Sequence, residues 1–137
     1  MLFRSIVAYA GTDGDLEKAF ETFSQQHVGA VVASNGPFFA RRMEQVAVLA
    51  ARRGLPAIFP YREFVQAGGL MSYGGRLGYT YHQVGLYTGR ILKGEKPTDL
   101  PVERATKVEL VINLRTARAL GLTVPETLLA TADEVIQ

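Results

Sequence analysis

The sequence predicts an α/β domain on a largely parallel sheet, and three observations carry that prediction. Short apolar, β-rich runs alternate with stretches of helical periodicity. One run, Gly29 to Ser34, is apolar almost without interruption, as a strand covered on both faces of a parallel sheet would be. Glycine and proline punctuate the boundaries between runs. The expected architecture is three-layered, a parallel sheet with flanking helices, and 137 residues suffice for one such domain with a real core.

Each element has a local reason. Phe3 to Ala10 reads as the first strand, followed by Gly-Thr-Asp-Gly. Thr12 or Asp13 is the N-cap of the next helix. Its Leu16, Ala19, Phe20 and Phe23 fall at i, i+3, i+4 and i+7, one apolar face. After the Gly29–Ser34 strand, a helix opens at Asn35-Gly-Pro37, where proline suits the first turn. Phe39, Met43, Val46 and Ala50 form its core face, and it stops at Arg52-Arg53-Gly54, with cations at the negative end of the dipole and glycine as C-cap.

Pro56 to Pro60 is the third strand, and Tyr61-Arg-Glu-Phe-Val begins a short helical turn. Gly68 to Tyr73 is the fourth strand. A longer helix then runs to Leu92 and ends at Lys93-Gly94, with Leu77, Tyr81, Val84, Thr88 and Ile91 along one face. Gly78, Gly85 and Gly89 lie beside that face. Each helical glycine costs about 1 kcal/mol against alanine, so the three either mark close approach by another backbone or are tolerated. Glu95 to Pro101 reads as a loop and Lys107 to Leu114 as a last strand. Asn113 is placed to cap a helix from Leu114 to Leu120 that ends at Gly121, and Pro125 starts a short helical tail.

Composition removes several function classes. The net charge is +2 with a pI near 9.0, a mild basic excess rather than a nucleic-acid footprint. There is no cysteine, hence no disulfide, thiol nucleophile or Cys-based metal site. No apolar run approaches the roughly 20 residues of a membrane helix. Met1-Leu-Phe-Arg-Ser-Ile-Val does not read as a signal peptide, which implies a cytoplasmic location for the chain as written.

Enzyme templates fail as well. No phosphate-binding or dinucleotide-binding glycine pattern occurs, and nothing calls for a cofactor or a metal. His27 and His82 lack a nearby ligand partner and read as surface or packing residues rather than bases. Ser34 has neither a nucleophile-elbow context nor an obvious base, so no catalytic residue is assigned. Topology favours binding instead, because open parallel α/β sheets hold ligands beyond the carboxyl ends of their strands. Those ends carry Thr12 and Asp13, Ser34 and Asn35, Tyr61, Arg62 and Glu63, and Ser72 and Tyr73, and whichever of Phe38 and Phe39 is not core adds a stacking surface beside them. The helix N-termini after the first two strands would favour an anion. Each residue has a plainer role too: Asp13 and Asn35 as caps, one of Phe38 and Phe39 as core, Arg62 and Glu63 as a mutual pair in solvent, and Tyr73 as a surface residue.

Several stretches carry a family resemblance. They are Asn35-Gly-Pro-Phe-Phe, Leu55-Pro-Ala-Ile-Phe and Arg62-Glu-Phe-Val-Gln-Ala-Gly-Gly-Leu-Met-Ser-Tyr-Gly74. Tyr81-His-Gln-Val-Gly85, Arg90-Ile-Leu-Lys-Gly-Glu-Lys-Pro97, Asp99-Leu-Pro-Val and Glu109 to Leu122 extend it, and Ala132-Asp-Glu-Val-Ile closes it. In order, they resemble one group of ABC-transporter substrate-binding proteins, related to the tryptophan/tyrosine uptake group with the type I periplasmic-binding-protein fold.

The resemblance implies two α/β lobes that close on a solute about a hinge and deliver it to a membrane permease. This chain matches the C-terminal part, so residues 1–137 would form one lobe, with residues 75–94 packing on the other lobe or on a partner chain. It implies a periplasmic or otherwise extracytoplasmic place of work and a small organic solute such as an amino acid. Asn35 matches a ligand-holding Asn, Tyr61 to Glu63 and Tyr73 match cleft and hinge positions, and Ser34 stands where close relatives carry Asp. An uncovered apolar face on Leu77–Leu92 predicts a dimer through that helix. Two other readings are a ligand-sensing effector domain for a regulator and, behind it, a small α/β enzyme.

Overall fold

Helix α1 (Asp13–Gln25) starts on a capping box, with Thr12 rather than Asp13 as its N-cap. Thr12 Oγ1 accepts from the Asp15 N–H at 3.2 Å, and the Asp15 carboxylate accepts from the Thr12 N–H at 3.0 Å. In this computed structural model, which describes residues 4–104 and 107–137, the elements that follow alternate as the sequence predicts. Strand β1 (Val31–Val32) leads to helices α2 (Pro37–Ala40) and α3 (Met43–Arg52). Then come β2 (Ala57–Phe59), α4 (Arg62–Gln66), β3 (Met71–Gly75) and α5 (Leu77–Leu92). The chain returns through β4 (Val108–Asn113), α6 (Leu114–Ala119), α7 (Glu126–Leu129) and β5 (Glu134–Ile136).

The strands form one sheet in the order β1-β2-β3-β4-β5. Every pairing is parallel except β3 with β4, which runs antiparallel from Met71↔Ile112 to Gly75↔Val108. The register sorts the side chains. Val31, Ala57, Phe59, Ser72 and Val111 share one face and are buried. Against that face pack Leu16 and Phe20 of α1, Val46, Ala47, Leu49 and Ala50 of α3, and Phe64 and Val65 of α4. The Phe59 and Phe64 rings stack with centroids 5.4 Å apart. Burying one such side chain is worth about 1.5–3 kcal/mol, so this layer carries most of the fold.

Several boundaries differ from the sequence reading, each for a physical reason. Of the proposed first strand, Phe3 lies outside the described residues; residues 4–10 form no ladder, because none of their backbone groups finds a partner strand. The run Gly29–Ser34 shrinks to two strand residues and is covered on one face only: Val31 is buried, while Val32 is 80% exposed. The helix from Asn35 divides into α2 and α3, although Pro37 does open the first turn. The fourth strand sits later than expected, at Met71–Gly75. The strand read as the last is followed by β5, which the tail after Pro125 supplies and which pairs with β4 through Val111↔Glu134.

Other expectations hold. Gly54 and Gly121 adopt φ of +63° and +68°, the left-handed region, just past α3 and α6. Asn113 Oδ1 accepts from the Thr116 N–H at 3.1 Å and caps α6. Helix α5 spans the predicted range, and none of its residues is buried. A Cβ on Gly78, Gly85 or Gly89 would meet nothing within 4 Å, so no backbone of the described residues approaches them.

Candidate functional site

The carboxyl ends of β1, β2 and β3 lie at one edge of the sheet, because those three strands run in parallel. Just beyond β1 stand Ser34 and Asn35, both exposed; just beyond β2 stands Tyr61. The Tyr61 hydroxyl donates to Asn35 Oδ1, a bond between side chains 26 positions apart. Tyr61 is positioned from below by Phe59, whose ring centroid is 5.9 Å away in the core. Asn35 does not cap α2; its N-cap is Gly36, with no side-chain bond to the helix.

A second cluster forms beside the first helix. Asp13 is not the cap of α1; its carboxylate pairs with Arg42, from the short link between α2 and α3. The Arg42 guanidinium also lies over the Phe38 ring, 4.3 Å from its centroid. Phe39 is the core member of the pair, and Phe38 meets it edge-on at 5.2 Å. The anion-favouring ends expected after the first strands are not free. Thr12 holds the Asp15 carboxylate by its hydroxyl and keeps it below the usual carboxylate range, helped by the Gly11 N–H. Helix α2 has four residues, too few for a strong dipole.

Arg62 and Glu63 do not pair with each other. Arg62 donates to Glu109 on β4 at 3.4 Å and pairs with Glu134 on β5. Glu109 is buried and also accepts from Arg76, the residue before α5, at 2.9 Å. This ionic chain ties α4, β4, β5 and the root of α5 together. Glu63 turns one carboxylate oxygen into a buried position with no partner, as does the Ser72 hydroxyl. Tyr73 is 61% exposed and lies on the sheet face opposite Ser72. The residues singled out in the sequence therefore fall into an Asn35–Tyr61 pair, an Asp13–Arg42–Phe38 group, an Arg62 network and a separate Tyr73.

Sequence reasoning missed Arg42, Arg76, Glu109 and Glu134. A signal existed for Glu109 alone, a charge at an inward position of an otherwise apolar strand. His27 and His82 are both exposed. Among the described residues, no group of three His, Cys, Asp or Glu is placed to hold a metal ion. Among the described residues, no helix is long and apolar enough to cross a membrane.

Residues 6–136 match the family model described as ABC transporter substrate binding protein. Among solved structures, a conserved domain protein from Vibrio cholerae is similar, with a TM-score of 0.82 at 28% identity. The match covers 93% of this chain and 43% of that one. The ABC domain from Streptococcus pneumonia in complex with L-Trp gives 0.81 at 25% identity, over 93% of this chain and 44% of that one. The ligand-free, open structure of a substrate binding protein with adhesive properties from Clostridium difficile shares the fold, at 0.60 and 20% identity, over 93% and 42%. The chain thus spans less than half the length of these solved structures. No curated protein matches it.

Proposed function

The chain belongs to the ABC transporter substrate-binding protein family, and from that premise we propose that it is one solute-gripping lobe of an uptake system. The Tyr61–Asn35 bond at the carboxyl ends of parallel strands carries this reading, since that is where open α/β sheets take ligands. Asn35 still has its amide N–H groups to offer a solute. Phe38 and Tyr73 offer aromatic surface for an apolar or aromatic solute side chain. Asp13 and Ser34 form a polar rim. Arg62 and Glu63 stand behind the site, Arg62 as a brace on Glu109 and Glu134.

The L-Trp bound by the pneumococcal relative makes amino acids, aromatic ones first, the leading solute class. The lobe holds its solute against a second lobe and passes it to an ABC permease outside the cytoplasm, with no chemical step of its own. The uncovered Leu77–Leu92 helix is the surface that the second lobe or another copy of the chain covers, and light scattering of the isolated chain as a monodisperse monomer would contradict a dimer through it. A thermal-shift screen with amino acids, sugars and small organic acids tests the solute reading. A solute at 100 times its Kd adds about 2.7 kcal/mol, several degrees in Tm. Stabilisation confined to sugars would displace the amino-acid assignment, and stabilisation by none would contradict solute binding.

A further inference from the structure

At the carboxyl edge of the sheet, Arg42 is a cation that the fold leaves partly unpartnered. Crossover helices begin at that edge. Asp13 at the start of α1 and Arg42 at the start of α3 therefore stand at the same edge as Asn35 and Tyr61. Arg42 is the N-cap residue of α3, makes no side-chain bond to that helix, and sits at the positive end of its dipole. Helix stability does not account for a guanidinium there. Neither does the pair with Asp13, since the two side chains are 30% and 62% exposed and such pairs add little to stability.

The contacts of Arg42 fix its orientation instead. Asp13 engages Nε, on the stem side of the guanidinium, and the Phe38 ring covers one face at 4.3 Å. Both contacts leave the terminal nitrogens Nη1 and Nη2 without a partner among the described residues. Arg62 differs: its Nη1 donates to Glu109 and its Nη2 pairs with Glu134, so its fork is filled. The nearby Asp15 carboxylate is held by the Thr12 hydroxyl and the Gly11 N–H and takes no part. A planar guanidinium stacked on an aromatic ring keeps its in-plane donors, and its parallel N–H groups match the two oxygens of a carboxylate.

We infer that Arg42 is a specificity-determining residue that receives the carboxylate of the solute on its Nη1–Nη2 edge. The inference rests on the solute site proposed at the strand ends and names which group of the solute that site reads. Asp13 and Phe38 are positioning residues: one holds the guanidinium at its stem, the other supports its face. The anion preference expected of the first helix ends is then supplied by a side chain, not by a dipole.

Backbone-amide and arginine side-chain NMR of the whole chain tests this, with L-tryptophan and L-tryptophanamide as probes. The two differ only in replacement of the carboxylate by a neutral amide. Shifts at Asn35 and Tyr61 report the solute site, and the Arg42 Nε–Hε resonance reports the guanidinium. L-Tryptophan should bind at least about fivefold more tightly than its amide, and it alone should move the Arg42 Nε–Hε signal. In Arg42→Gln that preference should fall to about one, with unchanged resonances of the buried Val46 and Phe64 verifying the fold. Arg42→Lys keeps the charge without the fork and should retain part of the preference. Indole-3-propionate has the carboxylate and lacks the ammonium. Binding of it that matches or exceeds that of tryptophan, and still needs Arg42, would support the inference and make organic acids the source of the carboxylate. Equal binding of tryptophan and its amide by the native chain, with Asn35 and Tyr61 shifting, would overturn the role of Arg42 and leave the solute site standing. An undiminished preference in Arg42→Gln would do the same. No shift at Asn35 or Tyr61 with any of the three probes would overturn the solute site and this inference with it.

Discussion

The Tyr61 hydroxyl donates to Asn35 Oδ1 and thereby ties the end of β2 to the end of β1 at the surface of the sheet. Both groups are accessible, so the bond contributes little to folding, about 0.5–1.5 kcal/mol at most. Its consequence is orientation. With Oδ1 engaged, the exposed Asn35 side chain keeps its amide N–H groups as the donors left for a solute. Tyr61→Phe should lower solute affinity by about three- to tenfold with a change in Tm of only a few degrees. Asn35→Ala should lower it further. Titration calorimetry with the best solute of the thermal-shift screen measures both, and unchanged affinity in Tyr61→Phe would remove the bond from the site.

Glu109 is the hub of the charge network. It is buried, and both Arg62 and Arg76 donate to it. Glu109→Ala strands Arg62 beside Glu134 alone and should cost about 1.5–3 kcal/mol in urea unfolding. Arg76 is 61% exposed, so Arg76→Ala should cost only about 0–1 kcal/mol. Equal losses in the two variants would mean that burial of Glu109 is not what gives the network its weight.

Gly74 and Gly75 are neighbours with opposite tolerances. A Cβ on Gly74 would stand 2.1 Å from the Pro60 carbonyl oxygen, whereas one on Gly75 would meet only the Lys107 oxygen, at 3.9 Å. The obstruction is backbone, so β2 and β3 would have to separate. Gly74→Ala should destabilise by about 1–3 kcal/mol or more, and Gly75→Ala by less than about 1 kcal/mol. Thermal or urea denaturation separates the two, and a neutral Gly74→Ala would contradict the close approach.

Glu95 caps the far end of α5 through Arg90, whose side-chain hydrogen bond holds the Glu95 carboxyl below its ordinary range and raises the Arg90 guanidinium. A carboxyl lowered by folding contributes stability above its unfolded pKa and loses it as pH falls through the folded value. The Tm difference between the native chain and Glu95→Gln should therefore be small, present near neutrality, and vanish below the ordinary carboxylate range. A difference that grows on acidification would contradict this assignment.

Much of the fold was legible in local chemistry. Thr12 writes the start of α1, Asn113 that of α6, and Gly54 and Gly121 the ends of α3 and α6. What stayed hidden depends on partners distant in sequence. Arg62 next to Glu63 looks like a local pair, yet Glu109 and Glu134 compete for Arg62 from strands far along the chain. Asp13 likewise looks like a cap until Arg42 comes within reach. The run from residue 4 to 10 has a strand's alternation but no ladder, because pattern specifies which face is apolar and not whether a neighbour is there to pair.

The central claim is that solute is gripped at the carboxyl ends of β1 to β3. Backbone amide NMR of the chain, titrated with L-tryptophan and then with other amino acids to millimolar concentration, tests it most directly because even weak binding by one lobe moves resonances. Saturable shifts are expected at Asn35, Phe38, Tyr61 and Tyr73, absent from α6 and α7, and abolished in Asn35→Ala. Shifts confined to other surfaces, or none with any amino acid, would contradict it.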